Sequence, residues 1–203
     1  MIPRRNLLRA VKKAFRQPAY GAGAFYKRLK SSLTYNFYNG YSAYPETISL
    51  FLTYKCNLRC KMCGQWGPAG SSRGYSPEKL DRRLDMADIE RLLDEVAGFR
   101  PNITLFGGEP LLYKDWSAVA RMAKKRKMRV NMITNGVLLK ENAEAVIDSG
   151  VDEVIFSLDG PRDVHDGIRG APGTYDRALA GFKKIQALKN EKKIKVPLVN
   201  IST

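Results

Sequence analysis

From about residue 47 onward, short β-branched or apolar runs alternate with segments of helical periodicity. Residues 47–53 read as a strand. Residues 86–97 form a helical stripe through Ile89, Leu92, Leu93 and Val96, with Asp85 as N-cap and Gly98 as a stop. Residues 102–106 are strand-like, 115–127 helical through Trp116, Val119, Ala120 and Ala123, and 129–134 strand-like again. The alternation returns with a helix over 139–149 that ends at Gly150, a strand over 153–158, and a helix over 174–190 capped by Thr174 with Phe182 and Ile185 inward. A fifth strand follows over 195–201.

Five strands separated by four helical crossovers predict an α/β fold of βα units around a parallel sheet. Right-handed crossovers bring every strand's C-terminal end to one edge, and the loops leaving that edge carry the chemistry of such folds. Four unusual segments fall in those loops: 56–63, 107–110, 134–136 and 157–170. A Gly/Pro/Ser-rich stretch, 64–77, separates the first loop from the first helix.

A chain of 203 residues can bury one core, and 44% hydrophobic with 27% charged residues is a globular composition that excludes global disorder. No run of eighteen apolar residues is present. Thirty-five Lys and Arg against 20 Asp and Glu leave +15, a field that favours anionic partners. The excess is uneven, because Arg4, Arg5, Arg9, Lys12, Lys13, Arg16, Lys27, Arg28 and Lys30 precede the first acid, Glu46. The later basic runs, 121–129 and 183–195, close helical segments, where cations suit the helix dipole.

Residues 1–45 are therefore set apart as a basic, partly helical extension, and 46–203 as a core domain. Within the extension, Leu7, Leu8, Val11 and Phe15 recur at helical spacing among six cations, so residues 2–16 predict a basic amphipathic helix. An anionic membrane surface, an organellar transit peptide and an arm packed on the core all suit it. No continuous apolar stretch follows Arg4, Arg5 and Arg9, so a secretory signal is not expected; the expected location is cytoplasmic, peripheral at a membrane if residues 2–16 bind one.

The chain has three cysteines, Cys56, Cys60 and Cys63, all within eight residues. An odd cluster this tight is a poor disulfide framework and a good metal site. Structural zinc wants four protein ligands, and the lone histidine, His165, lies over a hundred residues away inside another motif. A [4Fe-4S] cube usually takes four cysteines, so three would leave one iron open to bind something else. Lys55, Arg59 and Lys61 flank the thiols, either offsetting cluster charge or simply solvated. A basic nucleic-acid- or membrane-surface-binding protein with a structural three-cysteine metal site is the rival reading. The chain shows no zinc-finger spacing and no RNA-stacking motif, so nucleic acid is not an expected partner.

Cys-x3-Cys-x2-Cys directly after the first strand resembles the defining motif of the radical S-adenosylmethionine (radical SAM) superfamily. Gly107-Gly108-Glu109-Pro110 resembles the GGEP segment of that family. Ser157-Leu158-Asp159-Gly160 with His165-Asp166-Gly167-Ile168-Arg169-Gly170 resembles the branch containing SPASM-type peptide-modifying enzymes. The resemblance spans roughly residues 47–203. It implies a partial parallel (β/α)6 barrel and a [4Fe-4S] cluster on Cys56, Cys60 and Cys63. By the same resemblance, the open iron would chelate S-adenosyl-L-methionine, whose one-electron cleavage would yield a 5′-deoxyadenosyl radical able to abstract hydrogen from substrate. The resemblance also implies an external flavodoxin- or ferredoxin-like electron donor and a substrate, a peptide or protein side chain among others, that the sequence does not specify.

The resemblance also assigns cofactor contacts. Gly107 and Gly108 let the backbone approach a ligand, and Glu109 adds polarity near the methionyl amino group. Met62 stands where the family often carries an aromatic near the adenine. Ser157 and Asp159 fall near the ribose or the methionyl carboxylate, and Arg169 suits that carboxylate bidentately, the alternative being a surface pair with Asp163 or Asp166. Asn135, in Thr134-Asn135-Gly136, is either a turn residue or a ligand, and His165 orders its loop. Family barrels have a sixth strand, so a chain whose fifth strand reaches residue 203 is expected to be part of a longer one or to be completed by a partner chain.

Overall fold

The computed structural model describes residues 18–38 and 43–202. The chain divides into two compact units, Met1–Glu46 and Thr47–Thr203. In the first, helix α1 (Pro18–Phe37) opens on a proline, whose preset φ and missing N–H suit a first turn. Residues 2–16, with their expected amphipathic helix, lie outside the described residues.

The second unit runs β1 (Thr47–Phe51), α2 (Pro77–Leu80), α3 (Met86–Glu95), β2 (Asn102–Phe106), a 3-10 turn (Pro110–Leu112), α4 (Trp116–Lys125), β3 (Val130–Thr134), α5 (Ala143–Asp148), β4 (Glu153–Ser157), α6 (Arg162–Arg169), α7 (Thr174–Glu191) and β5 (Leu198–Ser202). All five strands are parallel, in the order β1-β2-β3-β4-β5. They form one open sheet, the parallel sheet that the alternation of elements predicts and the partial barrel that the resemblance implies.

Period-two alternation divides this sheet into two unlike faces. Leu50, Leu52, Ile103, Leu105, Val130, Met132 and Val154 pack with Ile89, Leu93, Val119, Ala120, Ala123, Val146 and Ile185 of the helices. Removing each of the larger of these side chains, Leu, Ile, Val or Met, from water contributes roughly 1.5–3 kcal/mol. The intervening residues form polar rows, with Ser49 beside Thr104, Thr104 beside Asn131 and Asn131 beside Glu153. At the N-terminal end of the sheet Arg129 donates to Glu153 at 2.7 Å, and Asn200 donates to the other oxygen of the same carboxylate at 2.5 Å.

The structure moves several boundaries. β5 begins at Leu198 rather than residue 195, because Pro197 has no N–H for the ladder. The turn Gly136–Leu139, closed by Leu139 N–H on the Gly136 carbonyl, delays α5 to Ala143. Thr174 is the first residue of α7 rather than its cap; the carboxylate that caps the helix comes from Asp166, which accepts from Gly173 N, Thr174 Oγ1 and Tyr175 N. The segment after β4, expected as one of the loops leaving the strand ends, contains helix α6.

Candidate functional site

The GGEP segment leaves β2 alongside the chain that leads from β1 to the cysteines. Gly108 N–H donates to Thr53 O at 2.7 Å and Glu109 N–H to Lys55 O at 2.9 Å. A Cβ on Gly108 would stand 2.2 Å from Lys55 O, and Gly107, at φ +145°, would set one 2.6 Å from Thr53 O. The close approach that these glycines permit is thus to a neighbouring backbone, and it holds the cysteine loop against β2.

The loop then coils tightly, with Cys63 N–H on Cys60 O and Gly67 N–H on Cys63 O. Each sulfur meets N–H donors: Cys63 Sγ accepts from Gln65 N and Trp66 N at 3.4 Å, Cys60 Sγ from Arg169 Nη1 at 3.7 Å, and Cys56 Sγ from Asn135 Nδ2 at 3.9 Å. Burial, above all other influences, pushes the Cys56 thiol up to about 11. A thiolate there needs a cation, which bound iron would supply. Among the described residues no three His, Cys, Asp or Glu side chains gather closely enough for a single metal ion. Ligands of a cube need not converge so tightly, because each cysteine binds a different iron. Three donor-supported sulfurs, and no fourth cysteine in the chain, fit a [4Fe-4S] cluster with one iron left to a non-protein ligand.

Glu109 is fully buried. Its Oε1 accepts from Thr134 Oγ1 at 2.7 Å and Leu111 N at 3.2 Å, and its Oε2 from Asn135 N at 2.9 Å. Burial raises its pKa, and these three hydrogen bonds oppose the rise. Asn135 is both turn and tie: Val137 N–H bonds to its Oδ1 at 3.0 Å, while its Nδ2 reaches Asn57 Oδ1 at 2.8 Å as well as Cys56.

Arg169 and His165, four residues apart on α6, are both buried. Arg169 pairs bidentately with Asp159, Nε to Oδ2 at 2.7 Å and Nη2 to Oδ1 at 3.0 Å. The carboxylate beside Arg169 is therefore Asp159, where the sequence suggested a ligand or a surface pair with Asp163 or Asp166. His165 Nδ1 accepts the Asp159 N–H at 3.2 Å, which orders the turn after β4. Burial first, and Arg169 second, lower the His165 pKa, so the ring is neutral and its 3.4 Å approach to Asp159 is no ion pair.

Met62 is 59% exposed, and Ser157 ends β4 opposite Ser202; neither joins the hydrogen-bonded group. Lys55 pairs with Asp81. Arg59 donates to the Cys56 and Leu58 carbonyls and stacks on Trp66 at 3.9 Å. Arg59, Lys61, Trp66, Pro68 and Arg73 line a cavity of about 380 Å³ beside the cysteines. Sequence reasoning passed over Trp66, which is buried, bonds Tyr54 O through Nε1 and supports Cys63. One of only two tryptophans standing in a Gly/Pro/Ser-rich stretch was the available signal.

The sequence model of the Radical SAM superfamily matches residues 50–201. The chain is 35% identical over 146 residues to an AdoMet-dependent heme synthase of Methanosarcina barkeri, covering 70% of this chain and 39% of that protein. It is 31% identical over 142 residues to the sporulation killing factor maturation protein SkfB of Bacillus subtilis, covering 70% of this chain and 33% of that protein. The crystal structure of Streptococcus suis SuiB bound to S-adenosylmethionine superposes with a TM-score of 0.61 at 18% identity, covering 90% of this chain and 39% of that one. The chain thus spans between a third and two fifths of these proteins.

Proposed function

The chain belongs to the radical SAM superfamily, and we propose that residues 46–203 are the cofactor-binding core of a radical SAM enzyme, with residues 1–45 as an extension to it. The family uses a [4Fe-4S] cluster and S-adenosylmethionine, which when bound supply one-electron reductive cleavage of the sulfonium and hydrogen abstraction from substrate. Cys56, Cys60 and Cys63 hold the cluster. The observation that carries this reading is that three cysteines of one loop each meet an N–H donor at the sulfur, on the sheet edge where the GGEP segment also lies.

In this reading the backbone of Gly107 and Gly108, with Glu109 behind it, lines the cofactor's methionyl end, and Ser157 and Met62 stand at its margin. Asn135, Asp159 and Arg169 brace the cysteine loop, Asn135 through Asn57 and the Cys56 sulfur and Arg169, held by Asp159, through the Cys60 sulfur. Arg59, Lys61 and Arg73 offer a cationic surface beside the cysteines, suited to an acidic flavodoxin- or ferredoxin-like electron donor. A peptide or protein side chain is the proposed substrate, supported by the likeness to SkfB and by the fold shared with SuiB, which has been crystallised with its precursor peptide SuiA. Three free cysteines suit a reducing cytoplasmic setting. Among the described residues no helix is long and apolar enough to cross a membrane.

Anaerobic reconstitution with iron and sulfide tests the assignment. The expected product is brown, with about four irons per chain, and adding S-adenosylmethionine perturbs the electron paramagnetic resonance signal of the reduced cluster. Replacing any one of the three cysteines with Ala removes that signature. A colourless protein that takes up zinc and no iron, or single cysteine variants with an unaltered cluster, would overturn it.

A further inference from the structure

We propose that Arg169, clamped by Asp159, sets the electron affinity of the cysteine-held cluster through its N–H on the Cys60 sulfur. The proposal rests on the reading above that the three cysteines hold a cluster. It goes beyond that reading in giving the Asp159–Arg169 pair a redox role rather than a ligand-binding one.

Position is the first argument. Lys61 N–H donates to Ile168 O at 2.8 Å, so a main-chain bond joins the residue after Cys60 to the residue before Arg169. Gly170, at φ +72°, closes α6 so near the loop that a Cβ there would lie 2.8 Å from Arg59 O. The last turn of α6 is thereby docked on both sides of Cys60, and the guanidinium has little freedom to leave it. His165 holds the Asp159 backbone from the same helix face without adding a charge.

Charge is the second. Among the described residues, Cys56 receives a neutral side-chain amide and Cys63 two backbone N–H groups, whereas Cys60 alone receives a donor from a cation. The Asp159–Arg169 pair is neutral in sum but oriented, with the guanidinium toward sulfur and the carboxylate behind it. Its side chains are 9% and 11% exposed, so water screens that orientation weakly. Reduction adds one electron to the cluster and so one negative charge. A positive N–H at the sulfur stabilises the reduced form more than the oxidised one and raises the potential, the lever by which hydrogen bonds to sulfur act in such sites.

Three of the five guanidinium N–H groups are already engaged, Nε and Nη2 with Asp159 and Nη1 with sulfur, which fixes the orientation of the cation toward Cys60. A purely structural brace would need the carboxylate pair but no sulfur within reach.

The experiment is an anaerobic redox titration of the reconstituted full chain, with dithionite as reductant, followed by visible absorbance and electron paramagnetic resonance. Iron and sulfide are counted in every sample. Arg169→Gln is expected to keep its iron and move the midpoint to a more negative potential. Asp159→Asn, which leaves an acceptor for the guanidinium but removes the opposing charge, is expected to move it the other way. An unchanged midpoint in Arg169→Gln, or shifts of the same sign in both variants, overturns the proposal. If Arg169→Gln fails to hold iron, Asp159→Asn decides alone, and a midpoint that is unchanged or more negative there refutes the proposal. A wild-type chain that takes up no iron instead defeats the cluster reading on which it rests.

Discussion

The hydroxyl of Thr134 donates to Glu109 Oε1 at 2.7 Å, so the last residue of β3 is bonded to a carboxylate that enters from the end of β2. The same carboxylate takes the backbone N–H groups of Leu111 and Asn135, and no cation is among these partners. Asn135 in turn reaches the Cys56 sulfur. Glu109 therefore acts as a joint beneath the cysteine loop.

Replacing Glu109 with Ala should leave three buried donors bare, at a cost of about 1–3 kcal/mol each in a urea unfolding curve. The pH dependence gives a separate signature. Burial raises the folded-state pKa of Glu109, so the folded state binds more protons than the unfolded one between the two values. The stability from this group is fully present below the ordinary carboxylate range and falls as pH rises through the raised value. Glu109→Gln should remove that fall. A wild-type curve already flat over this range would contradict the assignment.

Two glycines three residues apart should respond oppositely to alanine. Gly167 lies inside α6 with open space at its Cβ position, so Gly167→Ala should raise stability by about 0.5–1 kcal/mol through helix propensity. Gly170 is left-handed and presses on Arg59 O, so Gly170→Ala should destabilise and loosen α6 from the cysteine loop. Thermal unfolding of the two variants, with hydrogen exchange at Lys61 N–H, checks both signs.

Asp166 governs the acid limb. Hydrogen bonds from Thr174 Oγ1 and Tyr175 N hold its carboxyl down at about 2, with Gly173 N adding to them. A lowered folded-state value means that its contribution is present above the unfolded value of 3.8 and is lost as pH falls from there toward about 2. Asp166→Asn should be less stable than wild type at neutral pH, and the difference should shrink through that window. A difference constant from pH 7 to pH 2 would show that the cap does not act through charge.

Local pattern was enough for much of the architecture. Stripes such as Ile89, Leu93 and Val96, and strands such as residues 102–106, follow from periodicities of 3.6 and 2 that depend only on neighbours in the chain. Parallel order follows from their alternation. The cysteine motif was legible for a similar reason, since its three sulfurs lie within eight consecutive residues. Helix α6 was not, because Gly167 reads as a breaker, and tertiary docking of His165 and Arg169 outweighs roughly 1 kcal/mol of propensity.

What surrounds each sulfur was decided only by the fold. Asn135 stands 79 positions from Cys56, and Arg169 stands 109 from Cys60. No local period links residues so far apart. Gly107 and Gly108 point, in sequence, to a close approach of the backbone to a ligand; the pairing of β1 and β2 in register adds a close approach to the backbone of Thr53 and Lys55. In sequence, Arg169 points to the methionyl carboxylate or to Asp163 or Asp166, and the fold pairs it with Asp159. Asp159 and Asp166 lie ten and three residues before it, and the helical path of α6 brings the more distant of them to the guanidinium while Asp166 turns away to cap α7. Residue types establish what a side chain can bind; the crossovers that bring strand ends to a common edge determine which partner it meets.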